Sequence, residues 1–135
     1  MRKTIAVAGA TGFIGKWFIK NYKSHFKIIG LSRYKIENPE TSEIEWRQVD
    51  LYSISSTTNA LKNVDIGIYL VHSMQPSTRM NQGTFEDTDI LLADNFSIAA
   101  NECQLKQIIY VGGILPKDSF KISKQFLINF INTNS

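Results

Sequence analysis

The 135-residue sequence predicts an α/β protein with a three-layer α/β/α fold around a parallel sheet of strand order 3-2-1-4-5. Three observations predict it. Short apolar runs alternate with segments of helical periodicity along the whole chain. The first apolar run ends in a glycine-spaced turn that opens a helix. The run Val64–Val71 is almost continuously apolar, as expected of a strand covered on both faces. Right-handed crossovers between successive strands then give the stated order.

The first strand is the apolar run that starts at Thr4. It leads into Gly9-Ala-Thr-Gly12-Phe-Ile-Gly15, a G-x-x-G-x-x-G spacing. In a dinucleotide site Gly9 turns the chain sharply off the strand. Gly12 removes a Cβ where a diphosphate approaches the backbone, and Gly15 lets the helix pack closely on the sheet. The helix start offers free N–H groups and partial positive charge to phosphates. Thr11, Phe13 and Ile14 share this turn and belong to the same candidate site. In the following helix Ile14, Trp17, Phe18 and Tyr22 fall at helical spacing, with Lys16, Lys20 and Lys23 on another face. A glycine-rich turn in an ordinary α/β protein is the plainer alternative. The position after a strand and before a helix favours the nucleotide.

Phe26–Leu31 is the second strand, and Ser32-Arg33-Tyr34-Lys35 follows it. An acidic residue here would hold the ribose 2′-hydroxyl of NAD. A hydroxyl and a guanidinium suit a 2′-phosphate instead, because Arg presents a planar fork of donors. Ser32 and Arg33 therefore point to NADP(H) in preference to NAD. After the polar loop Glu37–Ser42, Ile44–Val49 alternates as a third strand and ends in Asp50-Leu51. Asp50 is placed to accept from an adenine amino group, with Leu51 against the ring. Capping of a short helix near Ser53–Lys62 is an equal reading of Asp50.

Val64–Val71 is the fourth strand and stops at His72-Ser73-Met74. Ligands in such sheets bind outside the carboxyl ends of strands, so Val71 and His72 border the expected cofactor. His72 and Ser73 are weak catalytic candidates; a structural histidine is the alternative for His72. Residues 75–83 form a loop, where Arg79 reads as a surface residue. Thr84 is a good N-cap for a helix running to about Glu102. Glu86, Asp87 and Asp89 suit its positive end, and Leu92, Phe96, Ala99 and Cys103 share one face. This acidic run lacks the His or second carboxylate cluster of a metal site. Gln107–Val111 is the fifth strand, closed by Gly112-Gly113 and Pro116. Ile122, Phe126 and Phe130 suggest a last helix.

Composition narrows the function classes. Apolar content is 43% and charged content 20%, ordinary for a soluble domain with one core. No run approaches the roughly 20 apolar residues of a membrane span. Glycines interrupt the first run, which argues against a secretion signal. One cysteine, Cys103, excludes an internal disulfide and suits a reducing cytoplasm. Residues 1–35 hold eight Lys/Arg and no acidic residue. That basic segment fits a phosphate-binding half-site better than nucleic acid, since no nucleic-acid recognition pattern accompanies it.

The Gly9–Gly15 spacing, Asp50-Leu51, Tyr69–Met74 and Ile108–Gly113 resemble the extended and atypical short-chain dehydrogenase/reductase superfamily. The likeness is greatest to its NAD(P)H-binding, NmrA-like and epimerase-like branch, and covers about residues 3–118. The resemblance implies a Rossmann-type fold and a cytoplasmic oxidoreductase or epimerase-like protein. It also implies diphosphate contacts at Gly9, Gly12 and Gly15, a 2′-phosphate at Ser32 and Arg33, and adenine at Asp50 and Leu51. The family's Tyr-x-x-x-K pair does not carry over. No tyrosine here has a lysine four places on, and the nearest echo is Phe120 with Lys124. Family members are longer, so residues 1–135 are expected to form a single cofactor-binding domain without the C-terminal substrate region. The shortened sheet leads to an expected homo-oligomer. A non-catalytic NADP(H) redox sensor is the alternative function, and a truncated remnant a third.

Overall fold

A computed structural model describes residues 2–36, 44–71 and 82–110. In chain order these form β1 (Thr4–Ala8), α1 (Phe13–Tyr22), β2 (Lys27–Ser32), β3 (Glu45–Gln48), α2 (Ile54–Ala60), β4 (Ile66–Tyr69), α3 (Gln82–Glu102) and β5 (Gln107–Tyr110). All the strand pairs are parallel, and the sheet order is β3-β2-β1-β4-β5. The Rossmann-type topology expected from the alternation is the one observed.

The period of two along β1 divides the core. Ile5 and Val7 face the α1 side, with Ile19, Ile28 and Ile68. Ala6 and Ala8 face the α2 and α3 side, with Ile29, Leu31, Leu61, Phe96 and Leu105. Phe96 is 1% exposed and packs its ring 5.2 Å from that of Tyr69. Burying a side chain of this size contributes on the order of 2–3 kcal/mol. Leu92, Phe96 and Ala99 form the buried stripe of α3, as their spacing implies, and Cys103 packs at its edge.

The inner face of α1 differs from the expected one. Its buried residues are Gly15 and Ile19, while Ile14 and Trp17 remain 47% and 54% exposed. The reason lies at Gly15. A Cβ there would stand 2.4 Å from the Gly9 carbonyl oxygen and 2.7 Å from Ala10 Cα. The helix therefore comes closest to the chain along the Gly15–Ile19 line, meeting the glycine turn at Gly15 and the sheet at Ile19. Phe18 and Tyr22 flank that line with stacked rings 4.9 Å apart. Ile14 and Trp17 are rotated off it.

Several boundaries also move, with β3 and β4 shorter at both ends than expected. α3 begins at Gln82, so Gln82 and Gly83 are helical and Thr84 lies inside the first turn instead of capping it. Shifts of this size are the usual play of helix ends. No acidic residue falls in that first turn. The helix dipole fades beyond it, so it does not account for Glu86, Asp87 and Asp89. β2 starts one residue late because the Phe26 N–H bonds to the Tyr22 carbonyl, at 3.1 Å, and not to the sheet. His72, Ser73, Met74, Arg79, the Glu37–Ser42 loop, Gly112-Gly113, Pro116, the Phe120/Lys124 echo and the expected last helix lie outside the described residues.

Candidate functional site

The carboxyl ends of β1, β2 and β3 open onto one cavity of about 140 Å³. Its first wall is the glycine turn. Gly9 sits at φ +87°, and a Cβ on it would meet Leu70 at 3.0 Å, so only glycine holds this bend without strain. The Gly12 N–H donates to the Gly9 carbonyl at 3.1 Å and closes the turn. Gly12 is also the N-cap of α1. It supplies no side-chain cap, and no carboxylate falls in the first turn. Among the described residues the N–H groups of Phe13, Ile14 and Gly15 thus have neither an intrahelical acceptor nor a capping side chain. They carry the partial positive charge of the helix start.

The second wall is the end of β2. Ser32 is buried, and its Oγ accepts the Tyr34 N–H at 3.2 Å. The Ser32 hydroxyl keeps its own proton to donate. Arg33 is exposed, with its guanidinium 6.0 Å above the Tyr34 ring and its carbonyl held by Gln48 Nε2 at 3.2 Å. Among the described residues no carboxylate pairs with Arg33.

The third wall, Val49–Tyr52, connects β3 to α2. Asp50 does not cap α2. Ser53 does, its Oγ accepting the Ser56 N–H at 3.2 Å. Asp50 instead folds its Oδ1 onto the Tyr52 N–H at 3.0 Å, an Asx-turn. Its own N–H donates to Ser56 Oγ at 3.0 Å, and its carbonyl accepts from the Ser53 N–H at 3.0 Å. The Leu51 carbonyl accepts from Asn95 Nδ2 at 2.9 Å. Asp50 is exposed, and Leu51 is half-buried against the core.

The cavity thus brings together Gly9, Thr11, Ser32, Arg33, Asp50, Leu51 and Val71. Gly12, Phe13, Ile14 and Gly15 stand at the adjoining helix end, with Phe13 88% exposed. His72 and Ser73 lie outside the described residues. Tyr52 and Leu92 also line the cavity and were missed. Tyr52 follows Asp50-Leu51 directly, a signal that was available. Leu92 reads only as a core residue of α3.

Chemistry elsewhere is sparse. Among the described residues no group of His, Cys, Asp and Glu is arranged to hold a metal. No described helix is long and apolar enough to cross a membrane. Cys103 Sγ donates to the Thr58 carbonyl at 3.2 Å. Burial pushes its thiol above the usual value, Glu102 adds to this, and Lys62 opposes it.

The walls fit a dinucleotide in three respects: bare peptide and a positive helix end for a diphosphate, a hydroxyl and guanidinium beside it, and an apolar slot edged by Asp50. Comparison with known proteins agrees. The model of the NAD dependent epimerase/dehydratase family matches residues 5–125. Auxiliary protein GraX of Staphylococcus aureus is 29% identical over 115 residues, covering 84% of this chain and 37% of that protein. UDP-N-acetylglucosamine 4-epimerase from Bacillus cereus superposes with a TM-score of 0.67 at 22% identity, over 96% of this chain and 48% of that one. A Rossmann-fold NAD(P)-binding family protein from Shigella flexneri superposes with a TM-score of 0.74 at 18% identity, over 97% and 64%. The chain therefore spans 37% of the curated relative, and 48% and 64% of these two structures. At such identities the superpositions speak for the fold, and the family match carries the assignment. The chain belongs to the NAD dependent epimerase/dehydratase family.

Proposed function

We propose that residues 1–135 act as the NADP(H)-binding domain of an oxidoreductase or epimerase-like protein of this family. Gly9, Thr11, Gly12, Phe13, Ile14 and Gly15 hold the diphosphate. Ser32 and Arg33 take the 2′-phosphate, Asp50 and Leu51 the adenine, and Val71 with His72 the region beyond the β4 end. The observation that carries this reading is the single cavity shared by the glycine turn, Ser32–Arg33 and Asp50–Leu51. When bound, the nicotinamide supplies hydride transfer. The residues of this chain bind and orient it, with His72 or Ser73 as the candidates to assist. A cytoplasmic location and assembly into a homo-oligomer belong to the same proposal, and light scattering at micromolar concentration tests the latter.

Calorimetry with NADP+ and NAD+ tests the cofactor assignment. A charge-assisted hydrogen bond contributes about 1.5–3 kcal/mol, or roughly tenfold and more in affinity. Arg33→Ala is expected to weaken NADP+ by at least about tenfold, and NAD+ by less than about twofold because NAD+ presents no 2′-phosphate to pair. Equal losses for both would contradict the assignment of Arg33.

A second reading is a binding module that distinguishes cofactor redox states without turning them over. The similarity to a protein described as auxiliary favours it. NADPH oxidation across a panel of carbonyl substrates separates the two. Turnover supports the enzyme, and tight binding with no turnover supports the module.

A further inference from the structure

We propose that Asn95 is a positioning residue that sets the cofactor's adenine preference by holding the Asp50–Leu51 turn in place; this rests on the dinucleotide reading above. Asn95 lies in the middle of α3, is 4% exposed, and sends its side-chain amide to the carbonyl of Leu51, 44 positions earlier, at 2.9 Å. Asparagine is a poor residue for a helix interior, and a buried amide is unfavourable unless it is bonded. An apolar residue would fill the same core site with less penalty. The one described bond that accounts for an amide here is the one to Leu51.

The remaining bonds of the turn are local. Asp50 N–H to Ser56 Oγ, Tyr52 N–H to Asp50 Oδ1, and Ser53 N–H to the Asp50 carbonyl all join the turn to itself or to α2. They shape it but move with it. The Asn95 bond ties it to α3, a separate element. Leu92, three residues earlier on α3, lines the same cavity. Asn95 therefore fixes how far Asp50 and Leu51 stand from Leu92. An adenine amino group meets the Asp50 carboxylate only while that separation is kept.

The test is the ratio of affinities for NADP+ and for its hypoxanthine analogue, in which a carbonyl oxygen replaces the adenine amino group. A general loss of structure weakens both ligands together and leaves the ratio alone. The wild-type chain is expected to favour NADP+ by about tenfold, the value of one hydrogen bond to a carboxylate. Asn95→Leu, which keeps the volume and removes the donor, is expected to bring the ratio close to one, while Asn95→Gln restores part of it. Asn95→Ser, too short to reach Leu51, serves the same test if Asn95→Leu does not melt cooperatively. A wild-type preference that survives in the folded variants overturns this inference alone. A wild-type chain that binds neither ligand overturns the dinucleotide reading and this inference with it. A wild-type chain that binds both equally overturns the inference while leaving the dinucleotide reading intact.

Discussion

The two turns that line the cavity are held by opposite means. The Gly9–Gly15 turn keeps its shape because side chains are missing from it. Gly9 takes a positive φ, and Gly15 lets α1 close onto the Gly9 carbonyl. The Asp50–Ser53 turn keeps its shape because side chains are present, with Asp50, Ser56 and Asn95 each bonding to its backbone. The first presents peptide N–H groups that a phosphate can reach directly. The second presents a carboxylate and an apolar edge, which suit a base. Adding atoms should therefore damage the first turn, and removing atoms should loosen the second.

The largest effect is expected at Gly15. Alanine gains about 1 kcal/mol of helix propensity over glycine. Its Cβ would stand 2.4 Å from a backbone oxygen, which no side-chain rotation relieves. Overpacking of this kind costs about 1–3 kcal/mol, sometimes more. The overlap should win, and α1 should withdraw from the turn. Gly15→Ala is expected to lower the melting temperature and to weaken NADP+ by more than about tenfold, as checked by thermal unfolding and calorimetry. An unchanged affinity would break the contrast between the two turns.

A smaller effect is expected on the other side. Ser53→Ala removes the cap of α2, worth about 1 kcal/mol. In a chain of this size that lowers the melting temperature by about 4 °C. Cofactor affinity should change by less than about twofold, because the Asn95 and Ser56 bonds still hold the turn. A loss as large as that of Gly15→Ala would show that the cap, and not the tertiary bond, positions Asp50.

The smallest effect lies outside the cavity and serves as a control. Burial raises the Cys103 thiol above its ordinary value of 9.0. A folded state that holds a proton more tightly than the unfolded state keeps full stability below the unfolded value and loses it as pH rises toward the folded one. The chain should therefore lose a little stability above about pH 9, and Cys103→Ala should flatten that alkaline slope. Denaturant unfolding at pH 8 and pH 10 checks this, and cofactor binding should not respond to the substitution.

These contrasts also explain what could be read in the residues alone. Sheet order, the apolar runs of β1 and β4 and the glycine spacing follow local rules, period and backbone geometry, and so were legible. The ends of β2 and β3 were legible for the same reason, since an Arg or Asp just past a strand falls at the crevice by topology. The inner face of α1 was not. Large apolar residues at helical spacing marked Ile14 and Trp17, whereas the helix approaches where Gly15 has no side chain at all. Asn95 was invisible because its partner is 44 residues away. Nothing in Ala93-Asp94-Asn95-Phe96 distinguishes an amide that crosses to another element from one that faces solvent.

We propose above all that an anionic diphosphate rests on the first turn of α1. Amide nitrogen–proton correlation spectra of the 135-residue chain, recorded during titration with NADP+, test it most directly. Saturable shifts concentrated at the amides of Gly12, Phe13, Ile14 and Gly15, and extending to Arg33, are the expected result. Saturable binding that leaves those amides unmoved would contradict it.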